Sequence, residues 1–148
     1  MKVSANFHLE EFVPKNVFKI FGQKALWQLD PRLIEIVQKI RIDLGRPIHI
    51  NTWMDGGKYE FRGYRPITSD VGAQFSQHRR GCALDIDVED MTNEEVFEFL
   101  MNHWHGYDAM GVTTLENPKF TPGWTHFDLR QKIEGVHPER SFLIVDPA

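Results

Sequence analysis

Three residues of this sequence are spaced so that they could share one metal ion. His78 and Asp85 lie seven positions apart, and His126 follows about forty residues after Asp85. Two imidazoles and one carboxylate make a three-ligand site for Zn²⁺ that leaves a fourth position open to water. Because an open position distinguishes catalytic zinc sites from structural ones, these residue types predict metal-assisted hydrolysis.

Two predicted strands must bring these side chains together. In residues 83–88, apolar side chains alternate with Asp85 and Asp87, so the two kinds take opposite faces. Residues 124–130 alternate in the same way and place four side chains on one face: Trp124, His126, Asp128 and Arg130. A buried carboxylate is costly unless it is paired or binds a metal. The two strands therefore predict either a metal site or a polar face held by salt bridges.

Helix signals flank these strands. Asp30 can cap a helix that starts at Pro31 and ends at Gly45. The capping-box pair Thr92 and Glu95 opens a second helix, whose apolar stripe continues to Trp104. The remaining predictions are one or two short helices in 7–22, strands in 47–52 and 111–115, a long functional loop in 53–75, and no defined element after Gly135.

Helices interspersed with a few short strands predict an α+β fold, in which a small antiparallel sheet packs against helices. The length of 148 residues suits a single domain over residues 1–148. The formal net charge of −4 lacks the basic footprint that nucleic-acid binding needs. No apolar run reaches the ~20 residues that span a bilayer. We expect a monomer.

Five segments carry a resemblance to a known family. Residues 76–85 (SQHRRGCALD) resemble the SxHxxGxAxD signature of the M15 peptidases. These are the zinc D-Ala-D-Ala carboxypeptidases and dipeptidases and the phage L-alanyl-D-glutamate endopeptidases, which share a fold with the hedgehog signalling domain. Residues 63–65 (GYR) resemble the SGYR turn of the family. Residues 123–130 (GWTHFDLR) resemble the WxHxDxR-like ending of a compact phage and bacterial branch, to which residues 7–12 and 45–48 are also similar.

The resemblance implies a role for individual residues. It assigns three zinc ligands: His78, Asp85 and His126. Arg65 matches an arginine that holds or polarises the substrate near the scissile carbonyl, and Ser76 and Gln77 match positions beside the substrate. The implied cofactor is Zn²⁺, and the implied substrate is a peptidoglycan stem peptide that contains D-amino acids.

The general base departs from the family pattern. Larger members carry Glu or Asp three residues before the second histidine, where this sequence has Gly123. Asp128 is one candidate base, since it shares a strand face with His126. Asp128 could equally orient His126 from behind. Glu116, on the preceding predicted strand, is the other candidate.

Three further features have open roles. Residues 51–62 form an apparent insertion that could supply Arg62 to a substrate cleft or could be a surface hairpin. The His103-Trp104-His105 segment has a metal-like HxH spacing, but its position at a helix end favours capping or packing. The single cysteine, Cys82, excludes an internal disulfide and a Cys-based zinc site, and it is predicted to serve packing.

The sequence as a whole predicts a zinc peptidase that acts on peptidoglycan. Two alternatives are a zinc-binding module without catalysis, which Gly123 favours, and a phage or cell-envelope structural protein with the same fold. The first residues lack the apolar core of a signal peptide. We therefore expect synthesis in the cytoplasm, with action on the cell wall after release or transport, as in phage-type lysis.

Overall fold

The computed structural model describes residues 1–147 and has an α+β fold, as predicted. Within these residues it contains four α-helices and one five-stranded sheet. The helices are α1 (Lys15–Phe21), α2 (Pro31–Leu44), α3 (Asn93–Asn102) and α4 (Trp104–Met110). The strands are β1 (Ile48–His49), β2 (Ala83–Val88), β3 (Thr114–Glu116), β4 (Thr125–Asp128) and β5 (Leu143–Val145).

The strand order in the sheet is β1-β2-β4-β3-β5. All neighbours run antiparallel except β3 and β5, which run parallel. In the central pair, Asp85 of β2 lies opposite His126 of β4. Leu115 of β3 lies opposite Phe127, so Glu116 follows at the same level as His126. This register places three ionisable side chains side by side on three neighbouring strands: Asp85, His126 and Glu116.

One hydrophobic core holds the helices against a single face of the sheet. It contains the apolar side chains of the strands together with those of α2 and α3, including Leu84, Ile86, Leu115, Phe127, Leu33, Ile36, Ile40, Val96 and Leu100. Because successive side chains of a strand alternate between faces, the polar residues of β2, β3 and β4 take the opposite face. The core thereby fixes the position of the polar face.

The ends of the two longer helices follow the sequence signals. The Asp30 carboxylate accepts a hydrogen bond from the Arg32 backbone N–H at 3.0 Å, and Gly45 ends α2 with a left-handed φ of 64°. At α3, Thr92 and Glu95 exchange hydrogen bonds of 3.1 Å between side chain and backbone. Both helix starts are therefore confirmed, with the capping chemistry that predicted them.

Several predicted boundaries were wrong. The strand predicted over 47–52 covers only Ile48–His49. The helix that starts after Thr92 ends at Asn102, because His103 leaves the helical conformation and caps both α3 and α4. The region after Gly135, for which no element was predicted, contributes β5.

In residues 1–147, no helix is long and apolar enough to cross a membrane.

Candidate active site

The first candidate ligand sits on a tight turn that follows the loop before β2. Ser76 caps this turn, residues 77–80, by accepting a hydrogen bond from the His78 backbone N–H at 3.2 Å. Nδ1 of His78 lies 2.8 Å from the Gly63 carbonyl oxygen. Since a carbonyl can only accept, Nδ1 donates this bond and Nε2 is left as the free nitrogen. The buried His78 ring is thus fixed with Nε2 toward β2.

Gly81 explains the glycine in the 76–85 signature. It ends the turn with a φ of 69°, in the left-handed region where a side chain is strained. A Cβ atom at this position would lie 1.7 Å from the Gln28 carbonyl oxygen. The backbone there also accepts a hydrogen bond from the Asp30 N–H at 2.8 Å. The glycine therefore lets the chain turn into β2 against the start of α2.

Three candidate ligand atoms converge above the sheet. Oδ1 of Asp85 lies 3.2 Å from Nε2 of His78 and 2.9 Å from Nδ1 of His126. One ligand atom from each of the three residues lies within 4.8 Å of the others, and all three residues are buried. The structure therefore brings together the three residues that the sequence assigned to a metal, although they come from two strands and a turn.

Asp128 lies behind His126, on the side away from Asp85. Its Oδ2 is 2.9 Å from Nε2 of His126, while the opposite ring nitrogen faces Asp85. Arg130 holds the Asp128 carboxylate with two hydrogen bonds of 2.8 and 2.6 Å. The Asp128 side chain has no exposed surface. This arrangement orients the imidazole and gives Asp128 no access to the space in front of the cluster.

The cluster attracts positive charge. Burial alone would lower the pKa of His126, but its hydrogen bonds to Asp128 and Asp85 raise that pKa to about 10. Burial alone would raise the pKa of Asp85, yet His78 and His126 hold it well below its usual range. With Nε2 of His126 donating to Asp128, the Nδ1 lone pair and the Asp85 oxygen face each other at 2.9 Å. Two acceptors this close need a proton or a metal cation between them.

Glu116 lies beside the cluster, on the other neighbour of β4. Its Oε1 is 3.6 Å from Nδ1 of His126, and burial raises the pKa of its carboxyl group. The side chain is 18% exposed, whereas Asp128 is fully covered. Glu116 lines a cavity of about 600 Å³, together with the three candidate ligands. Of the two carboxylates considered as bases, Glu116 is the one on the cavity.

Arg65 lies over Asp85 at the same cavity. Its Nη2 donates to Oδ2 of Asp85 at 3.2 Å, and its Nε donates to the Phe61 carbonyl oxygen at 2.7 Å. Gly72 leaves space for the guanidinium, since a Cβ atom there would lie 2.3 Å from Nη1. The side chain is thus held at the cavity wall with a cationic group toward the cluster.

The other predicted substrate contacts divide between two places. Ser76 and Gln77 line the cavity, beside the turn that carries His78. Arg62 is buried and stacks on Tyr59, with its Cζ 3.6 Å from the ring centroid. Within residues 1–147, Arg62 is not among the residues that line the cavity. The role of Arg62 in substrate binding stays a prediction that this position does not favour.

We predict that Cys82 reacts slowly with thiol reagents in the folded protein. Burial raises the pKa of its thiol to about 11, and Sγ donates to Oε1 of Gln77 at 3.3 Å. The thiol therefore stays protonated at pH 8, and only the thiolate is nucleophilic. We expect labelling by Ellman's reagent at pH 8 to be about 10²-fold slower than in the denatured chain. The reason is that a thiol pKa about two units higher lowers the thiolate fraction about 10²-fold. Equal rates in the folded and denatured chains would contradict this environment.

Sequence reasoning missed part of the cavity. Arg130 lines the cavity and also holds Asp128. Strand alternation from His126 had placed Arg130 on the correct face, but Arg130 was not predicted to be a site residue. Val145, Asp146 and Pro147 also line the cavity, and they come from β5 and the residues that follow it. The local signal for β5 was a run of four apolar residues, Phe142 to Val145, which is the shortest run consistent with a strand and does not by itself distinguish a strand from other buried segments.

The comparisons with known proteins agree with this geometry. A family model described as Peptidase M15 matches residues 6–128, which is most of the chain. The chain belongs to the peptidase M15 family. The matched region contains all three candidate metal ligands and both candidate bases. No curated protein and no solved structure matches the chain. The members of this metallopeptidase family are zinc peptidases.

The donor set of this M15 chain fits zinc. Two imidazole nitrogens and a carboxylate oxygen are the ligand types of a catalytic zinc site with one open position. Each imidazole has its other nitrogen engaged, one by the Gly63 carbonyl and one by Asp128. Such outer partners fix the ring orientation of zinc ligands. His78 would bind through Nε2 and His126 through Nδ1, with Asp85 between them.

Proposed function

We propose that this protein is a zinc-dependent peptidase that hydrolyses amide bonds in peptidoglycan stem peptides containing D-amino acids. One observation carries the proposal. A half-buried carboxylate, Glu116, lies beside the His78, Asp85 and His126 cluster on the wall of an open cavity. A hydrolase needs a base at that place, and a purely structural metal site does not.

Glu116 acts as the general base in this proposal. It accepts a proton from the attacking water and passes it to the leaving amine. Zinc, when bound, lowers the pKa of a water molecule to ~7 and polarises the substrate carbonyl. Partial burial suits Glu116 to this role, because a raised carboxyl pKa brings the base closer to the operating pH.

Asp128 and Arg130 hold His126 in place rather than take part in proton transfer. Burial alone would raise the pKa of Asp128, but its hydrogen bonds and charge interactions with Arg130 and His126 together keep that pKa low. An ionised Asp128 accepts from Nε2 of His126 and selects the tautomer with Nδ1 free. The Asp128 base considered from the sequence is therefore not part of the proposed mechanism.

Arg65 binds the substrate oxygen next to the scissile bond. Its guanidinium already reaches the cluster through Asp85, and it keeps further N–H donors for a ligand. Donors that are fixed before the reaction stabilise the negative charge that develops on the carbonyl oxygen. Ser76 and Gln77 lie on the same wall and contact the peptide beside that bond.

The substrate class rests on the resemblance and on the charge of the cavity. The 76–85 signature is similar to that of peptidases that cut stem peptides, whose D-Glu and terminal carboxylates are anionic. Arg65 and Arg130 both line the cavity and can meet such carboxylates. A volume of about 600 Å³ can accommodate a short peptide segment.

The alternative is a zinc-binding module without catalysis. Gly123 is the observation that favours it, since the usual base is absent there and Gly123 is exposed with a φ of 88°. Glu116 answers this objection from another strand. Activity must decide between a peptidase, a binding module and a structural protein with this fold.

Digestion of purified peptidoglycan tests the proposed function. We expect the zinc-loaded protein to release or shorten stem peptides, and mass spectrometry of the products to identify the bond. A chelator should stop the reaction, and added zinc should restore it. Bound zinc with no product at any protein concentration would support the binding module instead. Absence of both zinc and product would favour a structural role.

A further inference from the structure

The last described residues form a wall of the cavity that was not predicted from the sequence. In the parallel pair of β3 and β5, Val145 lies in register with Glu116. The Asn117 backbone N–H donates to the Val145 carbonyl at 2.8 Å, and its side-chain amide donates to Oδ1 of Asp146 at 3.3 Å. Asn117 thus fixes this segment next to the proposed base.

The segment is also anchored at its other end. Phe142 is 1% exposed and belongs to the hydrophobic core. The Leu143 backbone N–H donates to the Thr113 carbonyl oxygen at 3.0 Å, which continues the pairing with β3. Core packing before β5 and hydrogen bonds along it fix the backbone position of Val145.

Strand alternation directs Val145 into the cavity. Registered neighbours in a sheet share a face, so Val145 stands on the face that Glu116 uses. Val145 is half-buried and lines the cavity, whereas Ile144 is 37% exposed and is not among the lining residues of the described chain. The same substitutions can therefore be made at Val145, on the cavity face, and at Ile144, on the opposite face, and their effects compared.

We propose that Val145 is a specificity-determining residue that limits the size of the substrate side chain seated beside Glu116. The proposal rests on the proposed peptidase function and on a segment beyond the family match, which ends at residue 128. Because the isopropyl group of Val145 has no hydrogen-bonding group, it selects by shape. Peptides with small side chains, such as alanine, fit beside it, and peptides with larger side chains are excluded.

The size of the effect follows from other apolar pockets. One methylene group added or removed in such a pocket changes discrimination by about 10–200-fold. Val145→Ala removes two methyl groups and should relax the limit on the size of the substrate side chain. Val145→Phe fills the space beside Glu116 and should tighten it. Ile144→Ala and Ile144→Phe make the same changes on the other face and should have no effect on selection.

A synthetic stem pentapeptide, L-Ala-D-Glu-L-Lys-D-Ala-D-Ala, and variants with one alanine replaced by leucine of the same chirality test the proposal. Calorimetry on zinc-loaded protein that also carries Glu116→Gln, in which hydrolysis is slow, gives the dissociation constants, and mass spectrometry on the protein with Glu116 gives kcat/KM. For at least one position, we expect Val145→Ala to reduce the preference for alanine over leucine about 10-fold or more. Val145→Phe should weaken binding of both peptides, and the Ile144 variants should behave as wild type.

The two readouts separate this proposal from the proposed function. An alanine-to-leucine ratio that changes less than about twofold in both Val145 variants would overturn the role of Val145. If wild type binds the peptides without cleaving them, the peptidase function fails, and the dissociation constants still decide on Val145. If wild type neither binds nor cleaves any of them, both proposals are overturned.

Discussion

Glu116→Gln is expected to lower kcat by about 10²–10⁴-fold, the contribution of a general base, while zinc stays bound. Glutamine keeps the size of the side chain and cannot accept the proton. The candidate ligands His78, Asp85 and His126 are unchanged, so zinc content by elemental analysis should equal that of wild type. Single-turnover assays on a stem peptide at saturating zinc measure the chemical step directly.

Asp128→Asn is the matched control for the loss of a carboxylate next to His126. The neutral amide of this variant would no longer hold the imidazole through an ionised group, so we expect zinc affinity to fall about 10–100-fold. Since Asp128 lies behind the ring, saturating zinc should restore most of the rate. The reverse pattern would identify Asp128 as the base: full activity in Glu116→Gln, and a loss of rate in Asp128→Asn that saturating zinc does not restore.

His126→Ala is expected to abolish specific zinc binding and the stabilisation that zinc brings. His126 is on β4, Asp85 on β2 and His78 on the preceding turn, so the ion joins separate parts of the folded chain. A ligand that binds only the folded state at 1,000 times its Kd adds about 4.1 kcal/mol to the free energy of unfolding. Wild type should therefore melt higher with zinc than without, and His126→Ala should not.

The comparison must use the zinc-dependent increment in melting temperature, because the substitution also removes a buried group from a charged cluster. His105→Ala is the control, since His105 is exposed on α4, in the HxH segment that could have bound metal instead. We expect this variant to keep the full increment. An increment that survives in His126→Ala and disappears in His105→Ala would place the metal in the HxH segment.

Local chemistry made part of the fold predictable. The capping residues of α2 and α3 act within one turn of the helix, so the sequence shows both partners. Strand alternation assigned faces correctly in β2 and β4, because a side chain's face depends only on its parity along the strand. The 76–85 signature combines local requirements, namely a cap, a left-handed glycine and a strand.

Relations between distant segments could not be predicted in the same way. The parallel pairing of β5 with β3 depends on the burial of Phe142 and on the side chain of Asn117, which no local pattern reveals. The choice between Asp128 and Glu116 depends on which side of the His126 ring each carboxylate occupies. Parity along β4 places Asp128 on the face of His126, and the register of β3 with β4 places Glu116 on that face too. Neither relation shows which side of the ring a carboxylate occupies.

Anomalous diffraction at the zinc edge, from crystals of the zinc-loaded protein, tests the central claim most directly. We predict one strong peak about 2.0–2.2 Å from Nε2 of His78, Nδ1 of His126 and a carboxylate oxygen of Asp85, with a fourth position open toward the Glu116 side of the cavity. A peak at other residues, or none at this cluster with zinc in excess, would contradict the account.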